Sequence, residues 1–382
     1  MQRFSFYTAL AATISISTTI TANAETIRYA IGAPPSAPQV QAIEKYATDV
    51  ENNTHGDLSL KVYALSLLSF AEMSDGIRDG MADAGWVLTP YHSAEYPHTN
   101  FVSESSMMLE PFPGQSQGKE GWVLGGALTE YILQDCPRCL KEFADQNQVP
   151  TALIGGTWYG LICTSPVKSL ADLDGARIRT GAANQARWAE AMNAVPIQMS
   201  ANEMHEALDR NVVDCSTLAV SDIPNYGVEE AITDITPAVP GGLFPNSVFQ
   251  YNRDKWSRFS SEQREALLRA AATGAATILF QWRSDLKKTQ NLMAELGANF
   301  HRADDDVLEA TDIFIKQDIK DAARAYARQH GNENGEQILN DFRQRLSKWR
   351  ELVQDIETEE ALAELYWNEI FSKVDPVTYG VK

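Results

Sequence analysis

Residues 26–31 alternate between apolar and polar side chains, the period of a half-buried strand. The loop Ala33-Pro34-Pro35-Ser36 follows, and 39–52 then repeats apolar residues at helical spacing. Residues 58–63 alternate again, 72–80 read as a helix, and 82–88 form a second apolar strand. Strands and helices in this rhythm predict a parallel sheet covered by helices. The rhythm returns mid-chain, with strands expected at 153–164, 176–180, 195–199 and 212–220. Ser200-Ala201-Asn202-Glu203 is a capping box, and Met204, Leu208 and Val212 follow it at helical spacing. Two such units in one chain predict an α/β fold of two lobes around a cleft.

The last third differs. Phe259-Ser260-Ser261-Glu262-Gln263 combines a hydrophobic staple with a capping box. Leu267, Ala271, Ala275, Ile278 and Trp282 then hold one face up to a stop at Gly297. A continuous helix over 262–296 would be about 50 Å long, longer than one lobe is wide, and is expected to brace both. Three charged amphipathic helices are expected at about 304–328, 336–356 and 359–371, packed against a lobe. The resulting division places 25–150 and about 245–285 in a first α/β lobe. It places 151–244 and about 286–382 in a second lobe that carries the C-terminal helices.

The first residues stand apart. Arg3 precedes a weakly apolar run, 7–20, and Ala22-Asn23-Ala24 supplies the small residues of a cleavage site. Residues 1–24 therefore read as a secretory signal peptide, and a periplasmic location is expected. No later segment reaches the ~18–20 apolar residues that span a bilayer, so no direct membrane insertion is expected. The 382 residues, 44% of them hydrophobic, suffice for two cores. With 51 acidic residues against 32 basic, a net charge of −19 and no basic patch argue against nucleic-acid binding. In an oxidising compartment, Cys136-Pro-Arg-Cys139 reads as a local structural disulfide before a redox or zinc motif. Cys163 and Cys215 lie on two expected strands and are compatible with a bridge or with two buried thiols.

Catalytic signals are weak. The six histidines lack metal-ligand spacing, and no Gly-x-Ser-x-Gly elbow occurs. Gly114-Gln-Ser-Gln-Gly118-Lys119-Glu120 has Glu where a phosphate loop has Ser or Thr, and Asp304-Asp305-Asp306 lacks the spacing of a calcium loop. No catalytic residue, metal or cofactor is assigned. The informative stretch is SLADLDGARIRTGAANQARW, residues 169–188, which delivers Arg179 to a strand end before Gly181 and a helix bearing Trp188. An isolated arginine is usually a surface residue. A strand end, a glycine turn and a helix N-terminus together instead place a bidentate donor at an edge where small anions bind.

The longer segment KSLADLDGARIRTGAANQARWAEAMNAVPIQMSANEMHEALDRNVVDCSTLA, residues 168–219, resembles the core of the TRAP transporter solute-binding family, periplasmic receptors often described as C4-dicarboxylate-binding. Asp-Leu-x-Gly, a basic-aliphatic-arginine triplet, a helix, a Val-Pro strand, a Glu-containing helix and a Val-Asp strand follow in the family's order. The resemblance extends from 26 to about 297, with ALSLLSFAEMSDGIRDGMADAGW, residues 64–86, similar to the family's first-lobe helix and strand. It implies a periplasmic binding protein-like fold of two α/β lobes that close over a small organic acid. A long helix would span both lobes, TRAP membrane permease subunits would be partners, and Arg179 would pair with the ligand carboxylate.

Two departures bear on the ligand. Trp158-Tyr159 stands where many relatives carry a second basic residue, and Cys215-Ser216-Thr217-Leu218-Ala219 follows Val213-Asp214 where glycine and asparagine are frequent. A second carboxylate would lack a partner, so the expected ligand is a monocarboxylate with an apolar or cationic body. Trp86, Tyr91, Trp158, Tyr159 and Trp188 are candidate walls, able to hold a cation over their faces, with core burial the alternative for each. Leu218 joins the candidate lining. Glu72 is a candidate cap for a ligand hydroxyl or ammonium, or else a helix N-terminal acid. Asn184 is a candidate donor near the carboxylate, or a helix cap. Rival functions are a C4-dicarboxylate receptor, a sensory receptor for a signalling partner and an exported hydrolase or isomerase.

Overall fold

A computed structural model describes residues 24–109, 118–329 and 334–381. The expected signal peptide, apart from Ala24, lies outside them. The first of two sheets contains β1 (Glu25–Ile31), β2 (Leu58–Ala64), β3 (Ala84–Val87), β4 (Gln148–Val149), β5 (Leu153–Gly155) and β11 (Pro245–Asn252). Their order is β2-β1-β3-β11-β4, with β5 also on β11. β1 runs parallel to β2 and β3, as the alternating rhythm predicts, and β11 enters antiparallel to β3.

The second sheet contains β6 (Tyr159–Cys163), β7 (Arg177–Thr180), β8 (Val195–Gln198), β9 (Cys215–Ala219), β10 (Asp234–Thr236) and β12 (Asn299–Phe300), in the order β12-β10-β6-β9-β7-β8. β7 is parallel to both of its neighbours. Cys163 and Cys215 face each other across β6 and β9 and are joined by a disulfide. Cys136 and Cys139 form a second, local bridge at the start of helix Pro137–Asp145.

The segment 153–164 is not one strand. It breaks at Gly156-Thr157-Trp158, and its halves belong to different sheets. This is the first passage between the lobes. The second leads back from β10 to β11, and the third is the helix Ser261–Glu295, which begins beyond β11 and ends just before β12. The helix starts at the expected box, where Ser260 caps the Gln263 N–H, and stops before Gly297 at a φ of 87°. Its 35 residues bury Leu267, Ala271, Ala275, Ile278 and Trp282. The helix after Ser200 is shorter than its spacing predicts, ending at Asp209, and Val212 is exposed.

The C-terminal helices correct the expected division. Helix Asp305–Gln329 lies against the second lobe, where Trp188 donates to the Thr311 hydroxyl at 3.0 Å. Helices Gly335–Leu352 and Glu359–Glu369 instead bury Phe342, Leu346, Trp349, Leu362 and Tyr366 in the core of the first lobe. Trp349 explains this: it lies over Gly126, where a Cβ would come within 2.2 Å of the indole, and donates to Glu130 at 2.6 Å. The chain end follows, with Arg253 donating to the carbonyls of Gly380 and Val381.

Candidate functional site

The carboxyl ends of the parallel strands in both sheets face one another, and a small cavity of about 10 Å³, room for about one water molecule, lies between them. Open α/β sheets bind ligands at such strand ends. Leu88 and Tyr91, just beyond β3, and Gln39, in the first turn of helix Pro38–Asn53, line it from the first lobe. The second lobe contributes Tyr159 of β6, Arg179 of β7, Ala201 beyond β8, and Leu218, Asp222 and Tyr226 on and after β9. Gly156, Phe244 and Asn246 come from the two loop passages and the start of β11.

Arg179 is held rigidly. It pairs in register with Ile197 and Ser216 on the flanking strands, and it is only 1% exposed. Nε and Nη2 donate to the Met199 carbonyl at 3.1 and 2.8 Å, and Nη2 also donates to the Tyr91 hydroxyl at 2.7 Å. Among the described residues no carboxylate pairs with it, although a buried charge is costly unless compensated. Gly181 makes this placement possible. A Cβ there would meet Phe244 at 3.1 Å and Arg179 Nη2 at 3.2 Å, so the glycine after the strand clears room for the guanidinium. Arg177, on the same strand, faces a different fate and is fully engaged with Asp214 through Nε at 3.0 Å and Nη2 at 2.5 Å.

Asp222 carries the opposite charge. Loss of solvent raises its pKa to about 7; the Asn225 side chain, donating at 3.0 Å, opposes the rise and Asp285 on the long helix adds to it. Burial pushes the phenols of Tyr159 and Tyr226 well up. The Asp222 charge raises both further, while Arg179 lowers both, so the two hydroxyls stand in the fields of both charges. Phe244 stacks on Tyr159 with ring centres 5.6 Å apart and meets Tyr91 edge-on at 6.0 Å. Gln39 is 5% exposed, and its Oε1 has no hydrogen-bond partner.

Of the residues singled out in the sequence, Arg179, Tyr91, Tyr159 and Leu218 meet at this cavity. Asn184 lines a second small cavity of about 10 Å³ that also borders Phe244, and donates to the Glu104 carbonyl at 3.4 Å. Trp86 stands behind the wall: it is fully buried and donates to Asn246 at 2.9 Å. Trp158 packs on the first-lobe core without lining the cavity, and Trp188 belongs to the second-lobe core. Glu72 is exposed and accepts from the Ser69 N–H and hydroxyl at 3.0 and 2.7 Å; these bonds hold its carboxyl below the usual range. It closes a helix-entry turn and does not line the cavity. Gln39, Asp222, Tyr226, Phe244 and Asn246 were not among the candidates. Gly241-Gly242-Leu243-Phe244-Pro245 carries the nearest thing to a signal, a glycine-rich turn leading into an aromatic residue.

The lobes touch directly around the cavity. Asn202 donates to the Gly32 carbonyl at 2.8 Å and accepts from the Phe70 N–H at 3.2 Å. Arg187 reaches Glu104 at 2.9 Å while also holding Asp318 at 2.6 Å. The structure is thus a closed one. Among the described residues no helix is long and apolar enough to cross a membrane.

Residues 29–330 match the family model described as bacterial extracellular solute-binding protein, family 7 (DctP). A curated solute-binding protein of Chromohalobacter salexigens is 22% identical over 300 residues, covering 76% of this chain and 83% of its own. Among solved structures, a TRAP solute-binding protein from an unidentified marine microbe, specific for aromatic acid ligands and holding 3-hydroxybenzoate, is similar with a TM-score of 0.72. It is 19% identical, and the match covers 85% of this chain and 99% of that one. A Bordetella pertussis extracytoplasmic solute receptor binding pyroglutamic acid gives 0.68 at 20% identity, covering 84% and 100%.

Proposed function

The chain belongs to the bacterial extracellular solute-binding protein family 7, and on that footing we propose that it is the periplasmic receptor of a TRAP-type transporter. It captures a small organic acid and presents the closed complex to the membrane permease. Arg179 pairs with the ligand carboxylate through its Nη1 hydrogens, which have no partner among the described residues, and the lobes close around a body resting on Tyr91, Tyr159 and Phe244. The observation that carries this reading is a buried Arg179, without a carboxylate partner among the described residues, on an aromatic-walled cavity between the lobes. Arg179 is the one cation among the described lining residues, which favours a monocarboxylate with an apolar or cationic body over a C4-dicarboxylate. Similar receptors that hold 3-hydroxybenzoate or pyroglutamic acid support the acid group.

The test is recovery of the small molecule retained by purified protein, by mass spectrometry after denaturation, followed by titration into wild type and Arg179→Lys. A carboxylate that binds Arg179→Lys about 100-fold more weakly is expected, because a lysine cannot reproduce the planar fork. A retained molecule without an acid group, or equal binding by Arg179→Lys, would overturn the reading.

A further inference from the structure

We propose that the ligand is zwitterionic: Asp222 forms a second subsite that takes a cationic nitrogen, while Arg179 takes the carboxylate at the other end. This rests on the receptor reading above and deepens it. Arg179 and Asp222 are the two charged side chains on the cavity wall, 1% and 7% exposed, and they form no ion pair with each other. Asp222 has no cationic partner among the described residues; its bond from Asn225 leaves one carboxylate oxygen without a hydrogen-bond donor. Asp285, on the long helix, is a second acid acting on it, and Lys288 is paired with that acid at 3.0 Å. A cation brought by the ligand supplies the missing countercharge.

The wall between the two charges suits such a group. Tyr159 and Tyr226 lie in the field of both Asp222 and Arg179, and with Phe244 they offer aromatic surface that attracts a desolvated cation. Gln39 adds a buried amide oxygen that lacks a donor. A neutral apolar ring or chain would leave the Asp222 charge without a countercharge and the Gln39 oxygen unmatched, and a buried acceptor without a donor is costly. A carboxylate and an ammonium or quaternary nitrogen on one small molecule match every charge in the cavity.

The experiment uses two matched pairs of probes, 3-(aminomethyl)benzoate with 3-(hydroxymethyl)benzoate and 4-aminobutyrate with 4-hydroxybutyrate. Each is titrated calorimetrically into the mature protein and into Asp222→Asn at pH 6 and pH 8. At least one amino probe is expected to bind about tenfold or more tightly than its hydroxyl partner. The advantage should grow from pH 6 to pH 8, because Asp222, titrating near 7 in the empty cavity, must be ionised to hold the cation. Asp222→Asn should abolish the advantage. If the hydroxyl probes bind as well as the amino probes, or if the advantage survives Asp222→Asn, the inference fails and the carboxylate clamp stands. If none of the four binds, the clamp itself fails and the inference falls with it.

Discussion

Tyr91→Phe removes one oxygen that joins the two lobes. The hydroxyl belongs to the first lobe and accepts from Arg179 Nη2 at 2.7 Å and from the Ala201 N–H at 2.9 Å, both in the second. A hydrogen bond to a charged group contributes about 1.5–3 kcal/mol and a neutral one about 0.5–1.5 kcal/mol. Water entering the gap recovers part of that sum, so a net loss of about 1.5–3 kcal/mol is expected. The ring's edge contact with Phe244 is kept, and so is the local packing. Both bonds exist only when the lobes meet, so the loss falls on the closed state and appears in ligand affinity as roughly a 10- to 100-fold rise in Kd. The assay is calorimetric titration of wild type and Tyr91→Phe with the molecule recovered from the wild-type protein, beside urea denaturation of both proteins empty. A Kd within twofold of wild type would refute the reasoning. So would an equal loss in the unfolding free energy of the empty protein, which would place the hydroxyl in folding and not in closure.

Two further outcomes concern stability. The Asp222 carboxyl is raised in the folded state, so the fold favours its neutral form; stability from this group is complete below about pH 4 and is lost as pH rises to about 7. Asp222→Asn should therefore stabilise the empty protein at pH 8 by on the order of 2–4 kcal/mol and leave it little changed at pH 4, as read by urea denaturation. Equal effects at both pH values would contradict the burial argument. Trp349→Ala should cost about 3–5 kcal/mol in a single transition, because the indole fills the space over Gly126 and bonds Glu130. A separate early transition of the C-terminal helices would show that they are an accessory layer and no part of the first-lobe core.

What the sequence disclosed follows from the range of the interactions involved. β1, β7 and the long helix were legible because alternation, a glycine stop and the box at Ser260 are local signals. β11 was not. Its eight residues are all buried, yet Ser247, Gln250 and Asn252 are polar, and their partners lie far away in the chain: Gln250 donates to Gln148 and Asn252 to the Ile77 carbonyl. Arg179 could be found because its setting is written within a few residues. Asp222 and Gln39 look like ordinary surface polar residues in the sequence, yet the fold buries both. Trp188 and Trp86 misled because aromatic character reports burial without saying whether the burial is in a core or a cavity wall.

The position of β11 has a consequence for how the protein comes to exist. Residues 245–252 sit in the middle of the first sheet, between β3 and β4, and Gln250 pairs with Gly85. The N-terminal lobe therefore cannot complete its sheet until the whole second-lobe segment has been made, and the second sheet in turn waits for β12 at 299. The first-lobe core waits longer still, for Phe342, Trp349 and Tyr366 of the C-terminal helices. Long-range pairings of this kind form slowly. The polypeptide therefore stays pliable until most of its length has been made.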